Sequence, residues 1–117
     1  MSKLINLFLT LSLLLFSLAA KSGEIYDATV KGILVTSSGF TAIQTEGGTT
    51  VTNQPGCATG SYLWAFSTGV PEGSAILSLL LTAKTTQAKV HIIGTADCSV
   101  SNNKEAIKNV FLNDGPN

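Results

Sequence analysis

Lys3 is followed by an apolar run from Leu4 to Leu18 and by two small residues, Ala19 and Ala20. A basic start, an apolar stretch of this length and a small-residue end read as a secretory signal peptide over residues 1–19. The run is short for a membrane-spanning helix and no basic cluster follows it, so no stable membrane anchor is expected. Ser17 and Ala19 satisfy the small-x-small pattern and put cleavage after Ala19; Ala20 and Ser22 are the alternative ends. What is left to fold is a little under a hundred residues. That is one domain, near the size below which an apolar core needs a staple.

Cys57 and Cys98 are the only two cysteines. In an exported chain an isolated pair reads as one disulfide. Closing a loop of about forty residues is worth about 4 kcal/mol in the chain-entropy treatment. Two free thiols are the alternative. Neither cysteine follows the apolar run closely enough to carry a lipid.

Basic and acidic residues balance, seven against seven, and there is no arginine. Proteins that neutralise a phosphate backbone cluster their positive charge, and arginine is the side chain that grips phosphate or guanine in two places. No nucleic acid partner is expected. Lys21, Lys31, Lys84, Lys89, Lys104 and Lys108 are scattered, with no run that suits an anionic membrane.

From Ile25 to Val35 the apolar alternation slips at Gly32: Ala28 and Val30 share one face, whereas large apolar residues occupy both faces afterwards. A long strand that bends through a glycine and joins two sheets has this pattern. Phe40 to Thr45 reads as a second strand, Gly47 and Gly48 as a reversal, and Thr49 to Thr52 as a short β-branched continuation. Pro55, Gly56 and Gly60 make residues 53–61 a loop tethered through Cys57. Tyr62 to Phe66 is a third strand, with Tyr62, Trp64 and Phe66 on one face.

Pro71 and Glu72 then suit the start of a helix. Within Ala75 to Lys84, residues Ile76, Leu77, Leu80, Leu81 and Ala83 form a broad apolar stripe that needs cover. Lys89 to Ile93, closed by Gly94, and Ile107 to Leu112 supply the last two strands, and Asp114 to Asn117 reads as a disordered tail. The order β-β-β-α-β-β over residues 24–113 predicts a mainly β fold with one helix. A five-stranded, partly open barrel of the oligonucleotide/oligosaccharide-binding (OB) type fits this order. A small β-sandwich is the alternative, though a buried helix in mid-chain is unusual there.

From Ala75 to Cys98 the chain resembles a group of small secreted bacterial proteins of unassigned function. The matching features are a leucine-rich helix ending in Thr82-Ala83-Lys84, the Lys-Val-x-Ile-x-Gly-Thr strand from Lys89 to Thr95, and Cys98 three residues later. The stretch from Trp64 to Thr68 fits the same pattern, and together these cover about half of the mature chain. In element order, export and its single cysteine pair the chain is also similar to the receptor-binding B subunits of pentameric bacterial toxins. That similarity implies a small disulfide-closed barrel whose helix lines a central pore; it places no sugar-binding motif on these positions.

Catalytic and metal signals are sparse. His91 is the only histidine, and Asp97, six residues on, has no recognisable ligand spacing, so neither metal nor cofactor is expected. Nucleophilic catalysis needs a base beside the serine or threonine and a third group orienting it, and no such signature surrounds His91. Glu46, Glu72, Asp97 and Glu105 show no motif that pairs two carboxylates for glycoside chemistry. Gly47-Gly48 and Gly94 lack the following helix and lysine of a phosphate cradle.

The aromatic face of Tyr62, Trp64 and Phe66 is the better candidate. Rings on a barrel surface stack on sugars or form subunit contacts; in so small a core they also serve as packing. Ser78 and Thr82, four apart on the helix, face either water or identical helices in a homo-oligomer. The expected protein is therefore an exported, periplasmic or secreted, non-catalytic module that binds carbohydrate or another protein. A structural or stress-related envelope protein without a small ligand is the alternative, and a small hydrolase is disfavoured.

Overall fold

A computed structural model describes residues 21–113; the leader assigned to residues 1–19 and the tail at 114–117 lie outside them. The described chain forms β1 (Glu24–Val35), β2 (Phe40–Glu46), β3 (Trp64–Ser67), α1 (Pro71–Thr86), β4 (Lys89–Gly94) and β5 (Glu105–Asn113). The strands close into a barrel in the order β1-β2-β3-β5-β4. All neighbours run antiparallel except β3 and β5, which meet in parallel through two residue pairs, Trp64 with Glu105 and Ala65 with Ala106. This short seam makes the barrel uneven. Strand order and the helix between β3 and β4 are those of the OB-type barrel, and the sandwich alternative is set aside.

β1 closes the barrel because it serves two neighbours. Its first part pairs with β4, from Glu24 opposite Ile93 to Ala28 opposite Val90. Its second part pairs with β2, from Thr29 opposite Glu46 to Val35 opposite Thr41. The register slips between Val30 and Gly32, where the sequence alternation also breaks. An extra residue in one strand sharpens its twist and bends it. A second slip, between Ile25 and Ala28, contains Asp27 at φ 53°. Asn and Asp tolerate this left-handed region better than most side chains.

The interior is filled by Val30, Ile43, Trp64, Phe66, Val90 and Ile92, with Leu80 and Ala83 of α1 closing one side. Val70 precedes α1 without a side-chain cap; Pro71 and the acidic Glu72 begin it, and Gln87 ends it in the left-handed conformation. Gly73 is buried where a β-carbon would strike the Ser67 carbonyl, so a glycine is what lets the helix start approach the end of β3. In the last turn Lys84 donates from Nζ to the Lys31 carbonyl at 2.9 Å, giving a partner to the bulged residue.

Several boundaries differ from the sequence reading. β3 begins at Trp64, not Tyr62, and β5 begins at Glu105, not Ile107. The expected 49–52 continuation is a single bridge between Thr52 and Glu24. The apolar stripe of α1 is narrower than expected: Leu81 is 48% exposed while Leu80 is fully buried. A helix advances about 100° per residue, and the line through Gly73, Ile76, Leu80 and Ala83 leaves Leu81 on the far side.

Cys57 and Cys98 are bonded, with 41 residues of separation. The bond ties the β2–β3 loop to the β4–β5 loop, and Thr59 N–H donates to the Asn103 carbonyl beside it at 2.9 Å. A disulfide of this kind belongs to an oxidising, non-cytoplasmic compartment.

Candidate functional site

The sequence candidates occupy separate places. Trp64 is fully buried and Phe66 nearly so, both inside the barrel. They have no surface to offer a ligand. Tyr62 lies just before β3, half-buried, with its hydroxyl against Gly32, where it fills the space a β-carbon would need. Ser78 and Thr82 are exposed on α1, and the Thr82 hydroxyl donates back to the Ser78 carbonyl at 2.9 Å. Thr85 and Thr86 make the same bond to Leu81 and Thr82, so these hydroxyl protons are spent on the helix itself.

A different group of rings stands on the outer wall of β1, β4 and β5. His91 of β4 stacks on Tyr26 of β1, with ring centroids 3.8 Å apart and planes at 25°. On its other side Phe111 of β5 stacks at 5.1 Å and 23°. The ladder register explains the meeting, since His91 and Phe111 are direct cross-strand partners. Their neighbours in sequence, Ile92 and Leu112, turn to the core side. Pairs directly opposite on adjacent strands bring their side chains together.

Tyr26 joins them because of local backbone features. The bulge at Asp27 re-aims the start of β1. The loop after β2 then clamps Tyr26 on both backbone groups: its N–H donates to Thr49 Oγ1 and its carbonyl accepts from Thr49 N–H, each at 3.0 Å. Gly48, at φ 77°, permits this approach, since a β-carbon there would collide with the Tyr26 carbonyl. Gly48 thus lets the loop hold the tyrosine strand in place.

Glu24 supplies the charge. Its Oε1 accepts from the Tyr26 hydroxyl at 2.6 Å and from His91 Nε2 at 2.7 Å. An ionised carboxylate only accepts, so the imidazole carries its proton on Nε2 in this arrangement. The Tyr26 hydroxyl, and secondly His91, hold the Glu24 carboxyl below the usual carboxylate range. The same bond raises the Tyr26 phenol above its ordinary range, because ionising it would set two negative charges together. Tyr26 is 44% and Phe111 49% exposed, so the row ends in two accessible rings flanking a less exposed histidine.

The arrangement is a rigid aromatic row with one polarised carboxylate at its edge. Its chemistry is that of a contact surface: apolar ring faces for C–H groups, and carboxylate, phenol and imidazole edges for hydroxyls or amides. Glu24, Tyr26 and Phe111 carry no motif in the sequence, and His91 stands out there only as the sole histidine. The available signal was that Tyr26, His91 and Phe111 all fall on the strand face opposite Ile25, Ile92 and Leu112.

The remaining candidates do not converge on this site. Asp97 caps its own loop, accepting from Thr95 and from Ser99 N–H, and those partners lower its carboxyl below the usual range. Glu105 is fully buried at the seam between β3 and β5. A groove of about 240 Å³ lies between the start of α1 and the β4–β5 loop, lined by Phe66, Val70, Ile76, Val100 and Ile107 among others. Among the described residues no three His, Cys, Asp or Glu side chains group as a metal site, and no helix is long and apolar enough to cross a membrane. No family model, curated protein or solved structure matches the chain.

Proposed function

We propose that the protein is an exported, non-catalytic binding module of the periplasm or cell exterior that recognises carbohydrate through Tyr26, His91, Phe111 and Glu24. The observation that carries this reading is the outward-facing row of three stacked rings with a carboxylate held at its edge. Large aromatic side chains at half exposure forgo much of the burial that would stabilise the fold, so their retention on the wall is accounted for by a ligand that covers them. Sugar rings present flat C–H faces and ring hydroxyls, which match an aromatic face beside an acceptor.

A glycan array followed by calorimetric titration of the oxidised mature protein tests the reading. Binding should fall at least tenfold in Tyr26→Ala and in Phe111→Ala while both variants stay folded. It should be unchanged in Leu81→Ala, on the helix. A wild-type protein that binds no glycan removes the carbohydrate reading.

A second reading concerns assembly. Leu81 stands exposed among Ser78, Thr82 and Thr85 on a helix face that carries no charge, a surface suited to an identical helix in a homo-oligomer. Light scattering that gives a clean monomer disposes of this second reading.

A further inference from the structure

Glu105 is fully buried at the β3–β5 seam, and among the described residues no basic side chain pairs with it. Its Oε2 accepts from Gly23 N–H at 2.8 Å and from Ala96 N–H at 3.0 Å, whereas Oε1 has no partner among the described residues. A buried carboxylate left this way is costly in either state. Ionised, it lacks a counter-charge; protonated, its O–H has no acceptor. The surroundings are nonetheless shaped around it. A β-carbon at Gly23 would collide with Oε1 and one at Gly94 with Oε2, and Gly94 N–H donates to the Gly23 carbonyl at 2.8 Å.

One of the two nitrogens bonded to Glu105 becomes a cation if the chain is cut in front of it. We propose that the leader is removed after Ser22, and that the new α-ammonium group of Gly23 forms a buried ion pair with Glu105 that locks the barrel seam. Ala20 and Ser22 place small residues three and one positions before that bond, as a leader peptidase requires. This rests on the reading of residues 1–19 as a signal peptide, and moves its end from Ala19 to Ser22. In the hydrolysis, water adds across the Ser22–Gly23 amide. Its hydroxyl goes to the Ser22 carbonyl, which departs with the leader as a carboxylate. The Gly23 nitrogen takes up a proton and becomes an ammonium with three donors in place of one.

Such a pair makes export and final stability one event, because the uncut chain holds a neutral amide where the mature chain holds a charge. The sign of its pH dependence follows. An α-amino group ordinarily titrates near pH 7.7–8.0, and a buried anion raises that value in the folded state. The stabilisation is then present where the ammonium is charged, and is lost as pH rises through the raised value.

Intact-mass and N-terminal analysis of the exported protein should find Gly23 as its first residue; a chain beginning at Ala20, Lys21 or Ser22 overturns the proposal. The second arm compares oxidised protein beginning at Gly23 with protein beginning at Ser22. At pH 6–7 the Gly23 form should melt about 10 °C or more above the other. The gap should close toward pH 10 and be absent when both carry Glu105→Gln. Equal melting of the two forms, or a gap that ignores pH, overturns it. Neither arm involves glycan, so the outcome is independent of the ligand proposed for the outer wall.

Discussion

The barrel wall carries two sets of aromatic rings, and they differ in what they give the molecule. Trp64 and Phe66 point inward from β3 and have almost no exposed area, so their contribution is to stability. Tyr26, His91 and Phe111 come from three strands, meet on the outside, and leave two rings about half open. Inner rings fill volume at close packing; the outer ones are ordered by each other and by Glu24. An ordered ring cluster on a small barrel can thus be built from side chains that the core does not need, provided the register is fixed from within.

The sharpest separation of the two sets is Trp64→Ala. Removing a fully buried indole leaves a cavity and costs about 3–5 kcal/mol, a large share of the stability of a domain this size. Thermal or urea unfolding measures it, and a loss below about 1 kcal/mol would mean that Trp64 is not the packing residue described above. Trp64→Phe should cost less than Trp64→Ala, because its ring refills much of the cavity; both variants remove Nε1, which is buried without a hydrogen-bond partner among the described residues.

The disulfide should come next. Replacing both Cys57 and Cys98 by serine frees two loops and is expected to cost about 2–4 kcal/mol, read from the same unfolding curves. The outer rings sit on strand segments that the bond does not join. At temperatures where the variant is folded, glycan affinity should therefore be unchanged, and a parallel loss of affinity would place the binding surface on the tied loops instead.

How much of this is readable from the sequence depends on how far a signal has to travel. The slip of alternation at Gly32 is local, and the register breaks there. The strand order and mid-chain helix follow from period changes along the chain. The start of β5 is hidden in the sequence because a glutamate such as Glu105 reads as a surface charge, yet it is fully buried. The bulge at Asp27 has no apolar pattern to announce it. The helix stripe reads wider in the sequence than it is, because Leu81 is apolar but lies off the buried line. The ring cluster is the least legible, since Tyr26, His91 and Phe111 are remote in sequence and only the pairing of β1 with β4 and β4 with β5 unites them. The sequence does mark each as an outward-facing aromatic; it does not mark them as neighbours.

Outer-ring truncations should be mild for the fold. Tyr26→Ala and Phe111→Ala each remove one stacked pair, and a cost of about 1 kcal/mol is expected in unfolding experiments. A cost near that of Trp64→Ala would break the distinction between the two sets and make the outer row a second core.

The smallest effect is also the most specific to the outer row. Glu24 is held below the usual carboxylate range first by the Tyr26 hydroxyl and then by His91. A carboxyl depressed by folding contributes stability that is present above its ordinary range and is lost as pH falls through the depressed value. Tyr26 is raised by the same bond, so its contribution is present below the ordinary phenol range and is lost as pH rises through the raised value. In Tyr26→Phe the ring stack is kept and only the donor is removed. The Glu24 titration, followed by its side-chain carboxyl carbon-13 shift, should move back toward the ordinary range, while His91 continues to hold part of the depression. A Glu24 midpoint that is the same with and without the tyrosine hydroxyl would mean that the carboxylate is not poised by the rings, and that the row presents apolar faces alone.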